Sequence, residues 1–303
     1  MTLRIEIKNW LKSQSMLPAA NTLAELREQV NQSIIQQQGI ERDSSYQHSF
    51  TVMTEDQAEI EVRVYVPYIL EHVQQRPAMV FAHGGGWCLG SLDAWDRACR
   101  LLAEATVQVI FSVDYRLTPE VKFPIPLTDF FSALSYIQKN ASTFGLDQNR
   151  IAVGGDSAGA NIAAAACLLA KQHPDIKISH QLLFYPALDA TMKSPSYETY
   201  AQGFGLTSST MAYCWDQYLN TESDKVNELV SPLLAHSLQD LPDATIFVCE
   251  YDPLRQDGEK YAEQLRAAGV NVKFHVLEGM IHGAIHMLAI TAEAKSIYAK
   301  AAF

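Results

Sequence analysis

What this chain has little of narrows its chemistry first. It holds five cysteines, Cys88, Cys99, Cys167, Cys214 and Cys249. Their number is odd, their spacings are wide and no C-x-x-C pair occurs, which excludes a disulfide framework and a zinc–thiolate site. They read as small core residues in a reducing compartment. No run approaches the roughly 18 apolar residues that a bilayer span needs. The first stretch, MTLRIEIKNWLKSQSMLPAANTL, has no apolar h-region and no cleavage signature. A soluble, cytoplasmic protein is the expectation, without a membrane partner. Basic charge is scarce, with 23 Lys and Arg against 34 Asp and Glu and a net charge of −11, which argues against a nucleic-acid partner. G-x-G-x-x-G is absent, because GGDSAG begins with two glycines and is no dinucleotide loop. His282 and His286 stand as H-x-x-x-H, but no Glu follows the first and no third ligand is evident, so neither metal nor cofactor is expected.

What is there can build a core. Of the 303 residues, 48% are hydrophobic, 10% aromatic and 19% charged, which suits one large α/β domain or two small ones and excludes disorder. Residues 1–45 read as helical. In them NTLAELREQVNQSII carries Leu23, Leu26, Val30 and Ile34 on one stripe, and Thr22 and Glu25 are spaced as a capping box. SFTVMT and EIEVRVYVP alternate with period two, like paired antiparallel strands. AMVFAH, VQVIFSVDY, RIAVGG, QLLFYP, ATIFVCEYD and VKFHVLEG are short apolar runs. Helical stretches at roughly 94–105, 124–140, 158–171, 257–268 and 283–302 separate most of them. The alternation predicts a mostly parallel sheet of about eight strands, covered on both faces. Between FYPALD and LPDATIFV no strand pattern occurs. A helical insertion at about 190–230 is expected there, above the carboxyl ends of the strands, where open α/β sheets bind ligands.

RIAVGGDSAGANIAAAA passes from a strand into an alanine-rich helix. At the joint, Gly155-Asp156-Ser157-Ala158-Gly159 matches G-x-S-x-G, the turn that lifts a serine Oγ out of a sheet. A serine hydroxyl needs a base, a carboxylate to orient the base, and donors for the oxyanion that develops. His83-Gly84-Gly85-Gly86-Trp87 follows a strand and can expose backbone N–H groups. Gly85 and Gly86 are assigned as donors with Ala158, and Gly84 is held as the alternative. For the acid, Asp252 directly follows ATIFVCEY. Its rivals are Glu250 inside the strand, Asp257, read as the cap of the next helix, and Asp114, which precedes the serine in the chain. The order Ser, acid, His favours Asp252. For the base, His282 follows the last strand, with His286 as runner-up.

HGGGW, DYRLTPE, GDSAGA and DPL…HG stand in this order, and together they resemble the hormone-sensitive-lipase-like esterases of the α/β-hydrolase fold. Within that branch the chain is similar to bacterial acetyl esterases and short-chain carboxylesterases. The resemblance covers roughly residues 60–300. It implies an eight-stranded α/β-hydrolase fold over 46–303, with a helical cap from residues 1–45 and the insertion near 190–230. It places the nucleophile at Ser157, the acid at Asp252, the base at His282 and the oxyanion donors in the HGGG loop. Relatives of this kind also allow a homodimer through the final helix and edge strand. The expected activity is hydrolysis of small, uncharged acyl esters, acetyl to butyryl or hexanoyl, through an acyl-enzyme. An amidase with the same three residues, or a ligand-binding module on a hydrolase scaffold, are the alternatives. Trp87, Phe204, Trp215 and Tyr218 are bulky residues in or near the expected pocket, with two readings: ordinary packing of the cap core, which is favoured, or walls that shorten the acyl site. Asp114, Arg116 and Glu120 are expected as a buried ion-pair network without chemistry.

Overall fold

Alternation of side chains divides the core before any helix is considered. In the strand Arg76–Ala82, Ala78, Val80 and Ala82 enter one apolar cluster, and Met79 and Phe81 enter the other. A strand buried on both faces belongs in the middle of a sheet. The computed structural model describes residues 2–14, 20–39 and 45–303; the rest of the expected N-terminal helical region, at 15–19 and 40–44, lies outside the described residues. Among the described residues eight strands form one sheet: β1 (Ser45–Met53), β2 (Glu59–Pro67), β3 (Arg76–Ala82), β4 (Val109–Val113), β5 (Leu146–Asp156), β6 (Gln181–Phe184), β7 (Ala244–Tyr251) and β8 (Val272–Ile281). Their order is β1-β2-β4-β3-β5-β6-β7-β8. Only β2 runs against its neighbours.

The helices are α1 (Ile5–Gln14), α2 (Leu23–Gln38), α3 (Leu92–Thr106), α4 (Ile125–Lys139), α5 (Ala158–Ala170), α6 (Ser196–Thr199), α7 (Ser208–Tyr218), α8 (Arg255–Ala267) and α9 (Glu293–Lys300). α4, α5 and α8 pack on one face of the sheet, α3 and α9 on the other. α5 carries alanines at 160 and 163–166, all buried, so it lies close to the strands beneath it. At the start of α2, Thr22 Oγ1 accepts from the Glu25 amide at 3.1 Å, while the Glu25 carboxylate accepts from Asn21 N at 2.8 Å rather than from the Thr22 amide. Between β6 and β7 the chain forms α6, α7 and two 3₁₀ turns, Glu222–Val226 and Pro232–Leu234, and no strand.

Three expectations are corrected. The helix read at 283–302 is broken: Ala284–Ala289 is a 3₁₀ segment interrupted at Met287, and α9 begins only at Glu293. Ala284 to Leu288 are five consecutive buried residues, which a helix with one buried stripe does not produce. Asp257 is not the cap of α8, whose cap position is Leu254; it is buried and accepts from Ser194 Oγ at 2.7 Å and Tyr197 OH at 3.1 Å. Asp114 and Glu120 are exposed, and only Arg116 of the expected buried network reaches inward, pairing with the buried Asp129 at 2.6 Å and with Asp56 at 2.9 Å.

Candidate active site

The passage from β5 to α5 forces Ser157 to φ 55° and ψ −117°, a conformation few non-glycine residues adopt. Its amide donates to Phe184 O at 2.9 Å, which anchors the corner to β6. The flanking glycines are a steric requirement. A Cβ on Gly155 would lie 2.3 Å from the carbonyl carbon of Gly159, and one on Gly159 would lie 2.0 Å from Ala82 O. The corner can close only with both side chains absent.

The ends of β7 and β8 bring the partners. Asp252 is fully buried; one carboxylate oxygen accepts from Leu254 N at 2.9 Å and the other from His282 Nδ1–H at 2.7 Å. That bond leaves Nε2 as the acceptor, and Ser157 Oγ–H donates to it at 2.9 Å. The edge of the His282 ring meets Tyr185, with centroids 4.6 Å apart. The rivals lie elsewhere. Glu250 accepts from Gly279 N, Asp257 faces Ser194 and Tyr197, and His286 makes no bond to the serine.

In the glycine loop, Gly84 N donates to Asp156 Oδ1 at 2.9 Å and is not available to a ligand. Gly85 and Gly86 have φ 103° and 59°. Among the described residues nothing accepts from their amides or from that of Ala158, at the N-terminus of α5. His83 pins the loop from behind. Its Nδ1–H donates to Gly84 O at 2.8 Å, Tyr115 OH donates to its carbonyl at 2.7 Å, and burial holds its imidazole below the ordinary value. Asp156 occupies the first open position of G-x-S-x-G. It is 2% exposed and its Oδ1 also accepts from Trp95 Nε1 at 2.7 Å, so it ties the loop to the serine corner. An acidic residue between a buried strand and a buried helix was the available signal, because such a charge requires partners.

Ser157, His282, Gly85 and Gly86 open onto a pocket of about 360 Å³. α1 contributes Trp10 to its wall, α2 Val30 and Ile34, and α7 Met211 and Cys214. Of the two readings of Trp87, Phe204, Trp215 and Tyr218, the packing one holds, since none of the four lines the pocket. Trp87 stacks flat on Tyr218 at 4.5 Å and packs on Trp215 at 4.2 Å, behind the loop, and Phe204 stacks on Tyr251 at 5.2 Å. Trp10 and Trp95 are the tryptophans that reach the pocket.

The family described as alpha/beta hydrolase fold matches residues 79–286. The chain belongs to the α/β-hydrolase family. Its relatives place this α/β hydrolase in the hormone-sensitive-lipase-like branch. It is similar to the carboxylic ester hydrolase LipN of Mycobacterium tuberculosis, with 41% identity over 71% of this chain and 58% of the relative's length. The arylesterase of Saccharolobus solfataricus is 37% identical over 74% of this chain and 72% of its own. Among solved structures, an ester hydrolase from the metagenome of Lake Arreo, in complex with a bipyridine phosphonate derivative, superimposes with a TM-score of 0.94 at 31% identity, covering 99% of this chain and 97% of its own.

Proposed function

We propose that this α/β hydrolase is a serine carboxylesterase that cleaves small, uncharged esters of short acyl chains, acetyl to butyryl or hexanoyl, through an acyl-enzyme. The observation that carries the reading is the unbroken run of hydrogen bonds from Asp252 through His282 to Ser157, beside three amides without partners. Ser157 Oγ attacks the ester carbonyl carbon while His282 Nε2 takes its proton. Asp252 holds Nδ1–H, sets the tautomer and stabilises the imidazolium. The amides of Gly85, Gly86 and Ala158 receive the oxyanion, and the dipole of α5 favours the same charge. The intermediate collapses, His282 returns the proton to the leaving alkoxide, and the alcohol departs. A water molecule, deprotonated by the same imidazole, then releases the acid and restores the serine. Loss of one oxyanion donor raises the barrier by about 3 kcal/mol.

The pocket supports the substrate class. It lies near the lower end of the roughly 300–1,000 Å³ typical of ligand sites. Among the described residues no Lys or Arg lines it, and an anionic ester would face Asp156. The names of the relatives, an ester hydrolase and an arylesterase, point the same way. In this reading α1, α2 and α7 act as a cap over the site, and the edge strand β8 with α9 supports a homodimer, tested by light scattering.

Ser157→Ala is expected to keep its circular dichroism and unfolding midpoint and to lose hydrolysis of p-nitrophenyl butyrate; activity equal to the parent contradicts the reading. In a series from acetate to laurate, kcat/KM is expected to peak at or below hexanoate. Rates still rising at decanoate contradict the short-chain preference.

A further inference from the structure

One corner of the pocket is polar, and the hydrolytic relay leaves it unused. His286 is 3% exposed, it lines the pocket, and neither of its ring nitrogens has a hydrogen-bond partner among the described residues. The broken turn at Ala284–Ala289 directs it inward, and the ring stands edge-on to Trp95 at 4.8 Å and 80°. Asp156, which also lines the pocket, uses one oxygen for Gly84 N and Trp95 Nε1. Its Oδ2 accepts no hydrogen bond among the described residues and lies 3.7 Å from His286 Nε2, too far for a direct bond. A buried polar group left unpaired is destabilising. His286 is such a group, Asp156 Oδ2 lies beside it, and both residues line the pocket that holds Ser157, which makes this corner a recognition site for something small.

On the basis of the esterase reading, we propose that His286 and Asp156 form a hydroxyl-recognising subsite, so that the preferred ester carries a hydroxyl group close to the scissile carboxyl. A hydroxyl both donates and accepts, which this pair requires: O–H to Asp156 Oδ2, and N–H of His286 to the hydroxyl oxygen. An oxygen about 2.8 Å from each atom closes a triangle over the gap between them. Asp156, His286 and Ser157 line one pocket of about 360 Å³, so the hydroxyl and the scissile carbonyl belong to the same small bound ester. A site built to bind a substrate hydroxyl discriminates against the analogue lacking it, because its own polar groups then stay unpaired. The ester is either a monoester of a polyol, with the hydroxyl on the alcohol side, or an ester of a hydroxy acid, with it on the acyl side.

Two matched pairs test this in a pH-stat: glycerol monoacetate against propyl acetate, and methyl 3-hydroxybutyrate against methyl butyrate. The parent is expected to favour the hydroxylated member of one pair by about tenfold in kcat/KM, and the pair that responds identifies the side. His286→Leu is expected to bring that ratio to about one, and His286→Asn, which keeps a donor and an acceptor, to retain part of it. A ratio near one in the parent for both pairs overturns the subsite, as does a preference that survives His286→Leu. Turnover of the unsubstituted esters without preference sinks the subsite alone, whereas no turnover of any ester sinks the esterase reading with it.

Discussion

Asp252 and Asp257 sit in one passage from strand to helix, and both are fully buried, yet they face different partners. Asp252 Oδ2 holds His282, while Asp257 holds Ser194 and Tyr197. In the proposed mechanism, Asp252→Asn loses the correct imidazole tautomer and kcat falls by roughly 10⁴. Asp257→Asn is expected to fall at least a hundredfold less. Comparable losses, or the reverse order, contradict the assignment of the acid. Gly159→Ala forces a methyl group to within 2.0 Å of Ala82 O, and it is expected to destabilise by more than about 3 kcal/mol in chemical unfolding. The side chains picked out by motif spacing, Ser157, Asp252 and His282, do converge, because strand-end loops on one edge of a parallel sheet deliver them to one place. Asp156 and His286 stood at positions the motifs leave open. Their partners, Gly84, Trp95 and the pocket itself, come from distant chain segments, which no spacing reveals.

α2 shows how far local pattern reaches. Its apolar stripe and Thr22 cap were legible, but not the clamp that seats it. Arg27 donates to Cys88 O at 2.9 Å and Thr118 O at 3.0 Å, and forks onto Glu120 with two bonds of 2.7 Å. Glu120 is exposed, so screening reduces the ion pair, and the two carbonyl bonds carry more of the effect. Because Cys88 follows the glycine loop and Val30 and Ile34 line the pocket, this clamp joins the helix to the site. Arg27→Ala is expected to lower the unfolding midpoint by about 2–4 °C and to raise KM for p-nitrophenyl butyrate, with Glu120→Gln milder in both. A KM unchanged in Arg27→Ala contradicts the coupling. The chain end departs from the single helix expected at 283–302 for a complementary reason. A run such as AIHMLAI fits a helix or a buried coil equally well by composition, and only packing on every side decides between them.

The sheet, its two layers of helices and the strand-free insertion were readable along the whole chain, because period-two and period-3.6 runs alternate cleanly there. For the aromatics the sequence leaves two readings, and the packing one holds for Trp87, Trp215 and Tyr218, whose rings pack on one another instead of facing a substrate. Burial also makes overall stability depend on pH. Desolvation raises Asp257 to about 7 from an ordinary 3.8. The folded state therefore binds this proton more tightly than the unfolded chain. The resulting stabilisation is complete below about pH 4 and is lost as pH rises through 7, with a slope of up to about 1.4 kcal/mol per pH unit. Between pH 5 and pH 8 the unfolding midpoint of the parent is expected to fall more than that of Asp257→Asn, and equal slopes contradict this. The central claim concerns a single atom, Ser157 Oγ. Intact-mass and peptide mass spectrometry after reaction with a fluorophosphonate tests it most directly. The account predicts one adduct, on the peptide holding Ser157, absent in Ser157→Ala and strongly slowed in His282→Ala; an adduct on another residue, or equal labelling of Ser157→Ala, contradicts it.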